Sequence, residues 1–531
     1  MSHTAPQLSA RVPFPSTVAV DARRRVAWLL RVNRLLGAHG GHVSLPAFAR
    51  VFRGGCFGHP VSASALSRWE TGQVAVGSAA VSRYEELLGV PRGLLLATAQ
   101  TTLRYLAPSA LSRPPLAGTG HGLDVASDRA QALLDRALSS DLMRGEDWAR
   151  LTGALCEIDR FVLVPTDTWY RITERLVEEM VIANGTPWML RFEALNRLLN
   201  HPRAAQHAIA VCASMARDGS NYAATEVICA LDNTAHADAA ARVLAELQRP
   251  TGQRALQGAV MACIRKIHYR HFTPSQLRRL GRAAHDIGPE WDLFGQVRAL
   301  SGALREPPGP VPARRTRIGA PDAGRAPAEL AAVVRRVLRQ ARRSTPSDGT
   351  DAVLSALVTE MLCHPLFDVR LYTAVLLAAT PHRGGLADAV VTELDRPHVA
   401  AAPSCALPLL GALRVLGDAG HRGTVERLAL SPGLPRATVS AAVHSLGQID
   451  RDPDDDVFFT RALAQYSREW TRRRDPAAAA TLSGLVYVMG RARRTDLIRD
   501  VRDRPDHPLT AREAAAWWLG LSERTLASSL V

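Results

Sequence analysis

The sequence predicts an all-α protein. Of its 531 residues 47% are hydrophobic but only 5% are aromatic, so the core must consist mainly of alanine, leucine and valine. Segments in which apolar and polar residues alternate with the period of a β-strand are scarce. Apolar residues recur at helical spacing instead, between capping residues and breaks formed by glycine or proline. These observations together exclude a β-rich fold.

Breaks rich in proline and glycine divide the chain into three predicted domains. Residues 20–105 form the first, residues 125–300 the second and residues 327–531 the third. Residues 108–122 and 304–326 are predicted to be linkers, because proline at such density does not continue a helix.

The first domain is predicted to contain five helices. The first spans Asp21–Gly37, and the second starts at Ser44. The third lies within Ser62–Gly72, since serine is a good N-cap and glycine readily ends a helix. The fourth ends at Gly89, and Pro91 opens the fifth at its first position. The residues expected to be buried in the first helix are Val26, Leu29, Leu30, Val32 and Leu36.

The third predicted helix has two chemically different sides. Leu66 and Trp69, with Ala65 at the border, form an apolar stripe that faces the core. The opposite side is small or hydrogen-bonding and consists of Ser64, Ser67 and Arg68. A short helix of this kind fits the major groove of DNA, where serine and arginine contact base edges and phosphates.

The residues from Val61 to Gly72 read Val-Ser-Ala-Ser-Ala-Leu-Ser-Arg-Trp-Glu-Thr-Gly. This run resembles the recognition helix of the Cro/lambda-repressor (XRE) helix-turn-helix family. The run from Val81 to Pro91 is similar to the fourth helix of that family and the start of the fifth. The resemblance covers about residues 20–100. It implies a five-helix DNA-binding domain whose third helix lies in the major groove.

The resemblance also implies roles for individual residues. Three side chains are expected to contact bases, namely Ser64, Ser67 and Arg68. Three others are expected to approach phosphates, namely Ser62, Arg31 and Arg34. Ala63 lies in the same DNA-facing row, at a position where the family often has glutamine, so one bidentate contact to adenine is missing. Glu70 is expected to pair with an arginine of the first helix. The connection Arg53–Pro60 is longer than the family's usual tight turn.

The distribution of charge agrees with a DNA-binding first domain. The formal net charge is +15, and residues 1–100 hold 11 arginines against 4 acidic residues, a net charge of +7. A basic domain of this kind supplies the salt-dependent part of DNA affinity. A further helix, predicted from Pro327 to Arg343, contains five arginines. It is interpreted as a solvated basic face, with a second nucleic-acid contact as the alternative.

The last 180 or so residues contain a loose repeat. Four helices rich in small residues each end in Leu-Gly or Met-Gly, and their final glycines are Gly417, Gly447, Gly490 and Gly520. Such units resemble HEAT-type helical repeats, in which each helical hairpin buries its apolar face against its neighbours. The resemblance implies an extended α-helical, HEAT-like solenoid after the first domain. Globular helical packing without true repeats is the alternative.

Enzymatic and metal-binding motifs are not found in the sequence. The seven cysteines are scattered without a Cys-x-x-Cys pair, which indicates a reducing cytoplasm and no structural zinc. There is no phosphate loop, zinc-protease motif or nucleophile elbow. No apolar run approaches the ~18 residues needed to cross a membrane. We therefore expect a cytoplasmic protein without catalytic residues, metal, cofactor or membrane contact.

The sequence thus favours a sequence-specific transcriptional regulator that binds double-stranded DNA. The helical remainder is expected to bind a small-molecule, peptide or protein effector, or to form a homodimer on two half-sites. A protein-interaction scaffold without sequence-specific DNA binding is the first alternative. A DNA-modifying enzyme built on HEAT-like repeats is the second, although no carboxylate can be paired with Trp470, Trp517 or Trp518 from the sequence.

Overall fold

The structure is a computed structural model of the whole chain. It describes residues 20–37, 44–55, 57–106, 123–157, 167–219, 221–287, 296–305, 328–344, 351–449 and 455–528. These residues divide into two units. The larger unit takes its residues from Ala22–Ile318 and Pro453–Val531, and the smaller unit from Met1–Asp21 and Gly319–Asp452.

The larger unit begins with five helices, which we call the N-terminal bundle. They are α1 (Ala22–Leu36), α2 (Leu45–Phe52), α3 (Ala63–Glu70), α4 (Ser78–Leu88) and α5 (Leu94–Leu106). Helix α1 packs against α3, α4 and α5, so it forms the centre of the bundle. Its residues Val26, Leu29, Leu30 and Val32 are buried as predicted, whereas Leu36 in its last turn is only half-buried.

The rest of the larger unit forms a helical body that contains both middle and C-terminal segments of the chain. Its first ten helices are α6 (Leu123–Leu138), α7 (Gly145–Glu157), α8 (Thr168–Ile182), α9 (Gly185–Asn200), α10 (Ala205–Arg217), α11 (Ala224–Ala230), α12 (Ala237–Gln248), α13 (Gln253–His268), α14 (Pro274–Asp286) and α15 (Gln296–Arg305). Its last five are α24 (Asp455–Arg473), α25 (Pro476–Arg491), α26 (Thr495–Asp503), α27 (Leu509–Gly520) and α28 (Glu523–Ser528).

The two segments of the body contact each other directly. The Arg191 guanidinium on α9 donates to the carbonyl oxygen of Ser528 at 2.8 Å. The rings of Tyr222 and Tyr487 stack with centroids 5.1 Å apart. The C-terminal helices of the chain therefore complete a body that starts more than 300 residues earlier.

The smaller unit is also helical. Its helices are α16 (Ala328–Ser344), α17 (Asp351–Cys363), α18 (Phe367–Ala378), α19 (Arg383–Leu394), α20 (Pro397–Ala400), α21 (Pro403–Leu416), α22 (Arg422–Ala429) and α23 (Arg436–Leu446). Helix α21 contacts α17, α18, α19 and α23, so it lies at the centre of this unit.

The all-α fold class is confirmed for the described part of the chain. Helices make up nearly all of its regular structure, and the one β-type pairing is an isolated bridge between Gly54 and Phe57. The three-domain division stays a prediction. Residues 108–122, most of 304–326, and the first 19 residues lie outside the described residues.

The start of α5 differs from the prediction. Pro91 was expected at the first helical position, but α5 begins at Leu94. The Glu85 carboxylate on α4 accepts hydrogen bonds from the amides of Gly93 at 2.8 Å and Leu96 at 2.9 Å. A side chain from another helix thus caps α5, and a carboxylate at this end also suits the helix dipole.

The four repeat-like segments are all helical. Gly417 and Gly447 directly follow α21 and α23. Gly490 is the next-to-last residue of α25, and Gly520 is the last residue of α27. At Gly490 an added Cβ would lie within 2.3 Å of the Trp518 indole, so glycine permits the close approach of α25 and α27. The HEAT-like arrangement itself stays a prediction.

Candidate nucleic-acid interface

Helix α3 has well-defined ends. The Ser62 hydroxyl accepts a hydrogen bond from the amide of Ala65 at 3.2 Å, as expected of an N-cap. At the other end Gly72 has a φ of +74°, a left-handed conformation that favours glycine and stops the helix. The limits predicted from the sequence are therefore confirmed, and α3 is a helix of eight residues that is capped at its start.

The inward side of α3 packs in an aromatic core. Leu66 is fully buried, and the partly buried Trp69 ring lies 5.9 Å from the Phe52 ring of α2. Phe52 in turn contacts Tyr84 of α4, with ring centroids 5.5 Å apart. This packing determines which side of α3 faces solvent.

A buried ion pair links the end of α3 to α1. Both oxygens of the Glu70 carboxylate accept hydrogen bonds from the Arg34 guanidinium, each at 2.6 Å. The Tyr84 hydroxyl donates to the same carboxylate at 2.9 Å. Burial and the neighbouring Glu70 charge raise the pKa of Tyr84 well above its ordinary value. The expected pair between Glu70 and an arginine of the first helix is thus confirmed.

The same pair corrects the role predicted for Arg34. Its side chain is only 4% exposed, and its guanidinium is directed at Glu70. An arginine in this position cannot contact a DNA phosphate without breaking a buried charge pair. Arg34 therefore belongs to the core of the bundle. Arg31, one turn earlier on α1, is partly exposed.

The outward side of α3 presents the other predicted residues. Ser62, Ser64 and Arg68 are exposed, while Ala63 and Ser67 are half-buried. The Ser62 and Ser64 hydroxyls lie 3.0 Å apart. Within the described part of the chain no carboxylate pairs with Arg68. The five residues thus form one polar surface with a single positive charge, which we call the α3 polar face.

The long connection before α3 is held by a residue that the sequence did not single out. The Arg83 guanidinium on α4 donates to the carbonyl oxygens of Val51 and Phe52, both at 2.9 Å. It also pairs with Glu86 at 2.8 Å. Arg83 therefore caps α2, and the extra residues of the connection form the small Gly54–Phe57 bridge. An arginine in the second turn of α4 gives no local signal of such a contact.

Helix α5 attaches the bundle to the helical body. The Glu193 carboxylate on α9 accepts hydrogen bonds from Thr101 at 2.8 Å and from Arg104 at 2.9 Å. The Arg104 guanidinium also donates to the Asn233 side chain at 2.5 Å. The Tyr269 hydroxyl donates to the carbonyl oxygen of Tyr105 at 2.7 Å. These contacts are buried or partly buried, so α5 belongs to the bundle and to the body at once.

The only lysine of the chain lies next to this attachment. Lys266 on α13 is fully buried, and its ammonium group donates to the carbonyl oxygen of Thr234 at 2.8 Å. Burial lowers the pKa of Lys266 to about 8, although the charge of Asp232 opposes this change. The ammonium ion is therefore less favourable in the folded protein than in the unfolded chain.

Replacing Lys266 by methionine is expected to change the pH dependence of stability. Between pH 8 and 10.5 the unfolded wild-type chain binds more protons at this site than the folded protein, so wild-type stability rises with pH. Lys266→Met removes this contribution. Relative to the variant, the free energy of unfolding of the wild-type protein should increase by about 3 kcal/mol from pH 7 to pH 10.5. Urea unfolding of both proteins across this range measures the difference, and parallel pH profiles would contradict the prediction.

Among the described residues no group of three or more histidine, cysteine or acidic side chains could hold a metal ion. None of the helices that the structure describes is both long and apolar enough to span a membrane.

Comparison with protein-family models finds no match for this sequence, and comparison with curated proteins finds no similar one.

Proposed function

We propose that the protein is a sequence-specific transcriptional regulator that binds double-stranded DNA through α3. The observation that supports this most is the two-sidedness of that helix. Leu66 and Glu70 hold one side in the core, while Ser64 and Arg68 point away from it and are exposed. A helix that is packed on one side and presents serine and arginine on its exposed side is suited to the major groove.

In this proposal Ser64, Ser67 and Arg68 contact base edges, and Ser62 and Arg31 approach phosphates. Ala63 offers only a methyl group, which suits apolar contact with thymine. A single short helix buries little surface, so operator affinity requires a second copy of the chain. We propose a two-fold dimer on half-sites about one helical turn, or 10 base pairs, apart.

The helical body supports a regulatory function in a specific way. Because α5 is shared between the bundle and the body, the position of α3 is tied to helices of the body. A ligand, peptide or partner protein that displaced α9 or α13 would act on the bundle through α5. We propose that the body binds such an effector, in the cytoplasm, and that the protein has no catalytic activity of its own.

Replacing Arg68 by alanine is expected to weaken binding to the preferred DNA sequence by roughly 1–3 kcal/mol, because a bidentate contact to a base is lost. Selection of bound fragments from genomic DNA by the full-length protein identifies that sequence. Fluorescence anisotropy with labelled duplexes then measures the affinity of each variant. The full chain is required, because truncation after α5 would expose side chains that it buries against the body.

Arg92→Ala is the matched control. Arg92 is exposed in the turn before α5, next to Gly93, whose Cα faces Leu190 of the body. Its loss removes the same charge from the bundle but no part of the α3 polar face, so affinity should change little and sequence preference not at all. If wild-type protein selects no motif, the interaction scaffold becomes the better explanation. Unchanged preference in Arg68→Ala would exclude Arg68 as a base contact.

A further inference from the structure

Positive charge is concentrated in two parts of the sequence. Residues 1–100 have a net charge of +7, and residues 313–343, with nine arginines and two acidic residues, have the same net charge. Since the whole chain has a formal charge of +15, the remaining residues are nearly neutral. The second basic stretch includes α16 of the smaller unit.

One side of α16 is held firmly against the smaller unit. Its apolar residues Leu330, Val333, Val334, Val337 and Ala341 are buried. The Arg336 guanidinium donates to both oxygens of the Glu393 carboxylate on α19, at 2.6 and 2.8 Å. The Gln340 amide donates to the Thr392 hydroxyl at 3.0 Å. These contacts prevent α16 from rotating about its axis.

The opposite side of α16 presents a row of arginines. Arg335, Arg339 and Arg343 are exposed and follow one another at intervals of four residues. At about 1.5 Å of rise per residue, the row is about 12 Å long. No carboxylate pairs with these three guanidinium groups within the part of the chain that the structure describes. We call these three residues the α16 arginine row.

We infer that the α16 arginine row binds the phosphate backbone of double-stranded DNA without reading its sequence. Each strand of a duplex carries one phosphate per about 3.4 Å of the helix axis, so a 12 Å row matches the length of about three to four phosphates on one strand. Guanidinium groups bind phosphate oxygens in a bidentate manner. Helix α16 has no aromatic side chain on which an unpaired base could stack, which favours a duplex over a single strand.

This inference rests on the proposed function, because it adds a second contact surface for the same ligand. The test compares wild type with the triple variant Arg335→Gln, Arg339→Gln, Arg343→Gln, since glutamine keeps helix propensity. The matched control replaces Arg278, Arg279 and Arg282 by glutamine. These arginines are exposed on α14 of the larger unit, so the control loses equal charge from another helix.

Binding to a duplex of about 40 base pairs that lacks the selected motif is measured by anisotropy between 50 and 200 mM salt. Loss of three phosphate contacts should make the slope of log affinity against log salt shallower by about 2.7. Over this range the wild-type protein should therefore lose about 40-fold more affinity than the α16 variant. The α14 control should keep the wild-type slope, and both variants should keep the wild-type sequence preference.

Four results would overturn the inference. An unchanged slope in the α16 variant, with motif selection intact, would remove the second surface and leave the proposed function standing. Equal effects of both triple variants would show that overall charge matters rather than this row. Competition by poly-glutamate as effective as that by duplex at equal charge would assign the row to an acidic protein. A wild-type protein that binds no duplex at all would overturn the inference and the proposed function together.

Discussion

Replacing Glu70 by alanine is expected to destabilise the N-terminal bundle by about 3–5 kcal/mol. The change leaves the Arg34 guanidinium buried without its carboxylate, and it removes the acceptor of the Tyr84 hydroxyl. A buried charge without its partner costs far more than an exposed one. Hydrogen exchange of the amides in α1, α3 and α4 measures the effect, because it reports opening of the bundle separately from that of the smaller unit.

Glu86→Ala is the control for this experiment. Glu86 pairs with Arg83 in the same bundle, but its side chain is 31% exposed. Loss of such a pair is worth at most about 1 kcal/mol. The double variant Arg34→Met, Glu70→Met removes both charges, so it should cost less than the sum of the two single changes. If Glu70→Ala raised the amide exchange rates in α1, α3 and α4 by tenfold or less, the buried pair would not be formed.

The second large effect is expected at the junction of the bundle and the helical body. Glu193→Ala removes the carboxylate that accepts hydrogen bonds from the buried Arg104 guanidinium and from the Thr101 hydroxyl. The expected cost is again about 3–5 kcal/mol. Because this energy holds α5 on α9, amide exchange in α5 should accelerate by about two to four orders of magnitude.

Asp238→Ala serves as the control for the junction. Asp238 lies on α12 of the same body, and its side chain is 52% exposed. Its removal should leave the exchange of α5 unchanged. If Glu193→Ala also left α5 protected, the polar contacts would not be what joins the bundle to the body, and apolar packing would have to account for the attachment.

Much of α3 and its surroundings could be predicted from the sequence, because the signals there are local. The capping serine, the apolar pair Leu66 and Trp69, and the glycine at position 72 all lie within one short run. The pair between Glu70 and the first helix was expected from the family resemblance. That same expectation did not identify Arg34 as the partner, since Arg31 and Arg34 lie one turn apart on the same helix.

The start of α5 was not predictable in this way. Proline at the first helical position is a common local pattern, and it suggested that the helix opens at Pro91. In the structure α5 begins at Leu94 instead, because the Glu85 carboxylate on α4 accepts hydrogen bonds from the amides of Gly93 and Leu96. A contact between two helices outweighed a preference of one residue.

The sequence by itself determined that the chain is helical, where most helices lie, and that α3 has an apolar and a polar side. These properties depend on residues within a few positions of each other. Only the tertiary structure decided that Arg34 is buried, that Arg83 caps α2, and that Arg104 joins α5 to Glu193. The carboxylate partner of Arg104 lies 89 positions away along the chain. Helical periodicity tells which residues share a side of one helix, but not which other helix will pack against that side. The partners of these buried charges lie on other helices, so only the packing of the helices identifies them.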